Sequence, residues 1–383
     1  MSEIAQKKEN KYSLDLLGKN FKNGTFTPDE TAKGMMLFII FQTIVTLIYQ
    51  GVYFIGGDEF GVWSYVFTVL LDACFVLAVY FIAQGANRNM FDELKVRKAP
   101  TFGQILLCGL LAFVCIFGFS GLTNIFMQLL YNAGYVSTGE DIVVDSLTSY
   151  MFFTVVVCIL PALCEEILFR GLIFNGLKRI STKVGVFGSA FLFMIMHGNP
   201  DQTVHQFILG VVLAIVYLAT NNLWVPILLH FFNNFIAVSY AYFSSFQTGG
   251  EVASGTVEIY FSEYLIYAIV TAVVGFFIAV GIVSALKKSA ETKKEQEPQK
   301  ETFTGTLGAE IGYGDRMAYE TASDSSDVIA FGSNDKIYRP TIESNNLPLK
   351  LSKQGKFLYG IAIAWLAADW ILALIVGFNY VGV

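Results

Sequence analysis

The stretch Pro161-Ala162-Leu163-Cys164-Glu165-Glu166-Ile167-Leu168-Phe169-Arg170-Gly171 lies inside an otherwise apolar run from Leu147 to Leu177. Such a run exceeds the roughly 20 residues a helix needs to cross the hydrocarbon core of a bilayer. Yet it carries two carboxylates and a guanidinium. One ionisable side chain at the centre of a membrane helix costs about 2.5–3.5 kcal/mol on insertion scales, so three together need a reason. Glu166 and Arg170 are four residues apart and share a helix face, where they can pair. Glu165 points about 100° away and is left for another partner. Adjacent carboxylates in a low-dielectric site suit general-base chemistry. The competing reading is an ion pair that only fixes helix packing.

Outward from this run the chain keeps the same character. Of 383 residues, 54% are hydrophobic and 15% charged, against about 25% charged in soluble domains. Only 22 of the 56 Lys, Arg, Asp and Glu residues lie between Gly34 and Leu286. This composition excludes a soluble domain and disorder over most of the chain. It also lacks the basic face that nucleic-acid binding needs, so no nucleic-acid partner is expected. Nine spans are predicted: Gly34–Ile55, Val62–Ala83, Gly103–Leu130, Leu147–Leu177, Val184–His197, Val204–Ala219, Trp224–Tyr242, Tyr264–Leu286 and Phe357–Tyr380. The fifth and sixth are short and joined by the polar turn Gly198 to Thr203.

The expected fold class is all-α, a polytopic transmembrane helix bundle with an eight-helix core and one appended C-terminal transmembrane helix. Its parts are a cytosolic N-terminal segment (1–33), the core (34–286), a polar, mostly disordered cytosolic linker (287–356) and the ninth helix (357–383). Basic residues fall in alternate loops: Arg88, Lys95, Arg97 and Lys98, then Lys178, Arg179 and Lys183, then Lys287 and Lys288. The intervening loops hold acids and neither Lys nor Arg. The positive-inside rule then places the N-terminus in the cytosol of a multi-pass membrane protein, in the plasma membrane if the source is bacterial. The polar N-terminus does not resemble a cleavable signal peptide. Cys74, Cys108, Cys115, Cys158 and Cys164 all lie in apolar runs and read as buried free thiols.

Two of the three histidines fall inside spans. His197 closes Phe193-Met194-Ile195-Met196-His197, and His230 shares a face with Asn234, four residues on. His205, near the start of the sixth span, reads as a surface or packing residue. Asp72 and Asp369 are lone acids in the second and ninth spans, with no partner nameable from sequence. On straight helices of 1.5 Å rise, Glu166 and His197 lie about 18–21 Å from the basic ends of their spans. His230 lies only about 9 Å from Trp224, so the depths disagree unless the seventh span starts in buried backbone or the cavity is tall. Gly118-Phe119-Ser120-Gly121 has the GxSG pattern of rhomboid-type serine proteases but reads as helix packing. Gly312-Tyr313-Gly314-Asp315 mimics the GxGD of presenilin-type proteases within the polar linker, where no membrane site is expected.

Glu165-Glu166-x-x-x-Arg170, Phe193-x-x-x-His197 and His230-x-x-x-Asn234, in that order on three spans, resemble the motifs of the CAAX protease and bacteriocin-processing (CPBP, Abi-like) family, which includes the type II CAAX prenyl endopeptidases. Phe169-Arg170-Gly171, Gly210 and Leu223-Trp224-x-Pro226 fit the same pattern, and the likeness spans about Asp141 to Tyr240. It implies an intramembrane endopeptidase acting on a membrane-anchored or amphipathic peptide or a lipidated protein, in contact with membrane lipid. By the same resemblance, Glu165 and His197 would activate water and His230 and Asn234 would stabilise the oxyanion. Glu166 and Arg170 would orient the first group, or Glu166 would share the base role. The family has also been described as metalloproteases, in which case Glu165, His197 and His230 would hold a metal, possibly zinc. The HExxH pattern is absent, and a glutamate-activated water is the favoured reading. The alternatives are a non-proteolytic peptide-binding, immunity or scaffold protein of the same fold, and a proton-coupled transporter using these side chains as a relay.

Overall fold

A computed structural model describes residues 12–14, 20–22, 26–56, 61–96, 99–137, 144–248, 261–295 and 349–379. After a short antiparallel pair, β1 (Tyr12–Leu14) with β2 (Asn20–Lys22), everything described is helix and connecting turn. The helices are α1 (Pro28–Gly56), α2 (Gly61–Gly85), the short α3 (Met90–Glu93), α4 (Phe102–Asn132) and α5 (Leu147–Lys178). They continue with α6 (Val184–Met196), α7 (Thr203–Thr220), α8 (Trp224–Thr248), α9 (Phe261–Glu295) and α10 (Lys353–Asn379). Eight are long and apolar enough to cross a membrane, and the chain is an integral multi-pass membrane protein. The exception is α6, at about 20 Å, well short of a 30 Å hydrocarbon core. The fifth predicted span is therefore a half-length helix, and the turn after it lies inside the bundle's height.

Local sequence sets where the helices begin. Thr27 and Glu30 form a reciprocal capping box, with Pro28 in the first helical position, so α1 starts six residues before the predicted Gly34. Thr101 with Gln104 caps α4 in the same manner. At the other end of the core, α9 runs on to Glu295, so the first residues of the predicted linker are helical. The GxGD look-alike at 312–315 lies outside the described residues.

The long helix α5 is the hub, packed against α1, α2, α6, α7 and α8. The pairs α6–α7, α4–α8, α4–α9 and α1–α10 close the bundle around it. Gly118 and Gly121 of α4 let that helix cross α9 closely. A Cβ on Gly118 would stand 3.2 Å from the Gly275 Cα, and one on Gly121 would stand 2.6 Å from the Ala268 Cα. The GxSG stretch is therefore a packing seam, and Ser120 Oγ bonds back to the Phe117 carbonyl at 3.1 Å. The cysteines are free, and all but the half-buried Cys164 are buried.

Candidate active site

Arg170 has no exposed surface, and its two terminal nitrogens bond to two different elements. Nη1 reaches Glu166 Oε1 at 2.7 Å, the i,i+4 pair expected from sequence. Nη2 reaches the Gly210 carbonyl on α7 at 3.0 Å. Gly210 has to be glycine for this approach, because a Cβ there would stand 3.0 Å from the Ala190 Cα of α6. The guanidinium also lies over the Phe193 ring, 4.7 Å from its centroid. One arginine thus binds α5, α6 and α7 into a fixed cluster.

Glu166 Oε1 accepts a second hydrogen bond, from His230 Nδ1 on α8 at 3.0 Å. A carboxylate can only accept, so Nδ1 carries the proton and Nε2 faces the other way. There it stands 4.0 Å from Glu165 Oε2, which is buried and without a hydrogen-bond partner. His197 uses Nδ1 on the Phe193 carbonyl, one helical turn back, at 2.7 Å, which leaves its Nε2 free. Phe193 packs edge-on against both imidazoles, its centroid 4.8 Å from His197 and 5.7 Å from His230. The phenylalanine of the FxxxH motif therefore has three tasks: seating Arg170, holding His197 and spacing it from His230.

The depth conflict resolves where α8 meets α5. At the α7–α8 link Leu223 and Val225 are buried while Trp224 stays exposed, and Leu223 N–H donates to the Lys95 carbonyl at 3.3 Å. Asn221 makes the reversal with φ at +50°, a left-handed helix end that asparagine tolerates. The 3.0 Å bond between His230 and Glu166 puts the two side chains at one level.

Asn234 is placed by a proline. Pro161 lacks the N–H that would bond the Val157 carbonyl four residues back in α5. Asn234 Nδ2 fills that position at 3.0 Å, tying α8 to α5. One amide hydrogen of Asn234 is thus structural, and the second remains to serve a ligand. The six predicted residues Glu165, Glu166, Arg170, His197, His230 and Asn234 stand on α5, the end of α6 and α8. Glu166, Arg170 and His230 bond directly, with Glu165 beside His230.

Three neighbours were not assigned to the site from sequence, although His205 and Asp72 were singled out there. His205 on α7 faces the Asn233 side chain and lies near His197 and His230, so all three histidines of the chain gather in one region. Asn233 is buried, and its Oδ1 lacks a hydrogen-bond partner. Asp72 of α2, also buried with one oxygen unbonded, lies close enough to Glu165 to act on it by charge. Each is a polar side chain in an apolar helix, the signal available in sequence, but only tertiary packing shows what it faces. Among the described residues no three His, Cys, Asp or Glu side chains stand close enough together to hold a metal ion. Glu165, His197 and His230 do not form a ready ligand set, so no step below passes through a metal.

Residues 147–236 match the family model "Type II CAAX prenyl endopeptidase Rce1-like". The chain is also 22% identical over 179 residues to the Bacillus subtilis (strain 168) protein named "Putative membrane peptidase YdiL", an alignment covering 46% of this chain and 70% of that one. No solved structure matches. The matched segment holds all three motifs and stops before α9 and α10.

Proposed function

We propose that this chain, whose motif region is that of the CAAX protease and bacteriocin-processing family, is an intramembrane endopeptidase that hydrolyses a peptide bond in a membrane-anchored or amphipathic substrate. The observation that carries the reading is the 4.0 Å gap between Glu165 Oε2 and His230 Nε2, beside the bonded chain Arg170–Glu166–His230. Two atoms at that spacing can both reach one water, or a water and the carbonyl oxygen it attacks, at ordinary hydrogen-bond lengths of about 2.8 Å.

Glu165 takes a proton from water as the water oxygen bonds to the scissile carbonyl carbon. The free Nε2 of His197 accepts the water's other hydrogen and orients it. The charge that forms on the carbonyl oxygen meets an N–H donated from His230 Nε2 and the uncommitted N–H of Asn234. Glu165 then returns its proton to the amide nitrogen, the C–N bond breaks, and a carboxylic acid and an amine leave. Glu166 and Arg170 hold the His230 ring in this orientation. A positioned general base of this kind contributes about 10²–10⁴ in rate.

The test uses the purified chain in lipid vesicles and a set of quenched fluorescent peptides, some with a farnesylated cysteine near the C-terminus and some unmodified and amphipathic. Wild type is expected to cleave members of the set, and Glu165→Gln to cleave none while folding normally. Cleavage retained in Glu165→Gln removes the assigned base. Binding without hydrolysis by wild type makes the protein a peptide binder instead.

A further inference from the structure

The helix α10 lies outside the segment matched to the family, yet it reaches the turn that carries His197. Residues 198–203 follow the half-length helix α6 and include Asn199, Asp201 and Gln202. Irregular polar backbone at membrane depth persists only where protein or a water-filled cavity covers it. The cover is α10. Trp370 Nε1 donates to Thr203 Oγ1 at 2.9 Å, at the far end of the turn. Asp369 lies against Gly198 at the near end, where a Cβ would stand 2.6 Å from its Oδ2. Gly198 has φ at +59°, so both backbone shape and space demand glycine beside His197.

Further along, the Gly377 carbonyl of α10 accepts from Val136 N–H at 3.0 Å, and Tyr135 packs on Gly377. Ser137 in turn bonds Asp201 of the turn. Seven residues separate Trp370 from Gly377, so Thr203 sits about 10 Å below the level of Val136. The other half of α10 is fastened to α1 through a buried 2.6 Å hydrogen bond between Tyr359 OH and Thr31 Oγ1, and Asp29 Oδ1 accepts from Ser352 N–H at 3.0 Å. The appended helix is thus anchored along its length and touches the turn at two successive residues.

We infer that α10 is a positioning element of the active site, in which Asp369 and Trp370 clamp the 198–203 turn and thereby hold His197 at the reacting water. This rests on the proteolytic reading above. Trp370 and Asp369 do not touch substrate; they act through the turn.

The experiment compares wild type, Trp370→Phe, which keeps the ring and removes the donor, Thr203→Val, which keeps the shape and removes the acceptor, and Thr203→Ser, which keeps the acceptor. Hydrogen–deuterium exchange over 198–203 is read beside kcat, KM and Tm for the vesicle peptide assay. Loss of one hydrogen bond is expected to lower kcat about 3- to 10-fold with KM unchanged. Exchange in the turn rises in Trp370→Phe and in Thr203→Val. Thr203→Ser restores both quantities, the double variant is no worse than either single one, and Tm stays within a few degrees. Unchanged exchange in the turn overturns the clamp whatever the activity does. So does a fall in kcat that only follows loss of folded protein. Faster exchange in a chain that cleaves no peptide leaves the clamp standing and removes the proteolytic reading.

Discussion

Among the described residues two arginines are buried, and the two are used differently. Arg88, outside the spans, pairs with two carboxylates, Glu30 through Nε at 3.2 Å and Glu93 through Nη1 at 3.2 Å. Arg170, inside α5, pairs with one carboxylate and one backbone carbonyl, and the carboxylate's shared oxygen also holds His230. In the first cluster both acids are tied to the guanidinium, so the group can only fasten α1 to the α2–α3 turn. In the second, the neighbouring acid Glu165 is excluded from the arginine and left facing an imidazole. A buried ion pair therefore does not by itself mark a site; an acid left over beside one does.

The sharpest way to break this comparison is to remove one acid from each cluster. Glu165→Gln is expected to lower peptide cleavage at least 100-fold, and Glu93→Gln to leave it within about twofold, both read by fluorescence in vesicles. Comparable losses would erase the distinction. Next in size is stability. Arg170→Met leaves Glu166 buried with His230 as its remaining partner and is expected to cost about 3–5 kcal/mol in detergent unfolding. Arg88→Met should cost less, about 1–2 kcal/mol, because Glu30 keeps some access to solvent.

A smaller effect sharpens the chemistry of the outer cluster. Burial pushes the Glu93 carboxyl up to about 7, against the pull of Arg88. A raised acid favours its protonated form in the folded state, so its contribution is full below the unfolded value near 4.5 and is lost as pH rises to about 7. Wild type should lose up to about 2–3 kcal/mol across that window, and Glu93→Gln should show a flatter profile in pH-dependent unfolding. The smallest effect concerns Pro161. Pro161→Ala returns a backbone N–H to the Val157 carbonyl and competes with Asn234 for it. Cleavage is expected to change less than about tenfold, with kcat affected more than KM.

Much of this was legible in sequence for physical reasons that can be named. Apolar runs longer than a bilayer's core fixed the long helices, and charges inside one run marked Glu165, Glu166 and Arg170. The i,i+4 rule paired Glu166 with Arg170 without any structure. The bond from His230 to Glu166 was not legible, because it depends on how α8 packs against α5. Nor was the anchoring of Asn234 on Val157, although Pro161 announced an unfilled carbonyl. Asp72, His205 and Asp369 stood out as polar side chains in apolar helices. What each faces depends on helix rotation, which the near-uniform apolarity of these spans does not encode.

The bond between Thr31 and Tyr359 joins residues 328 positions apart in the chain. Thr31 is made early in synthesis and, with no exposed surface in the finished fold, faces lipid or a temporary neighbour until Tyr359 arrives. The contact between α1 and α10 therefore closes only after α10 has been made. A chain cut short before α10 would carry every motif residue and still display an unfinished flank, the kind of surface by which membrane quality control recognises an incomplete product.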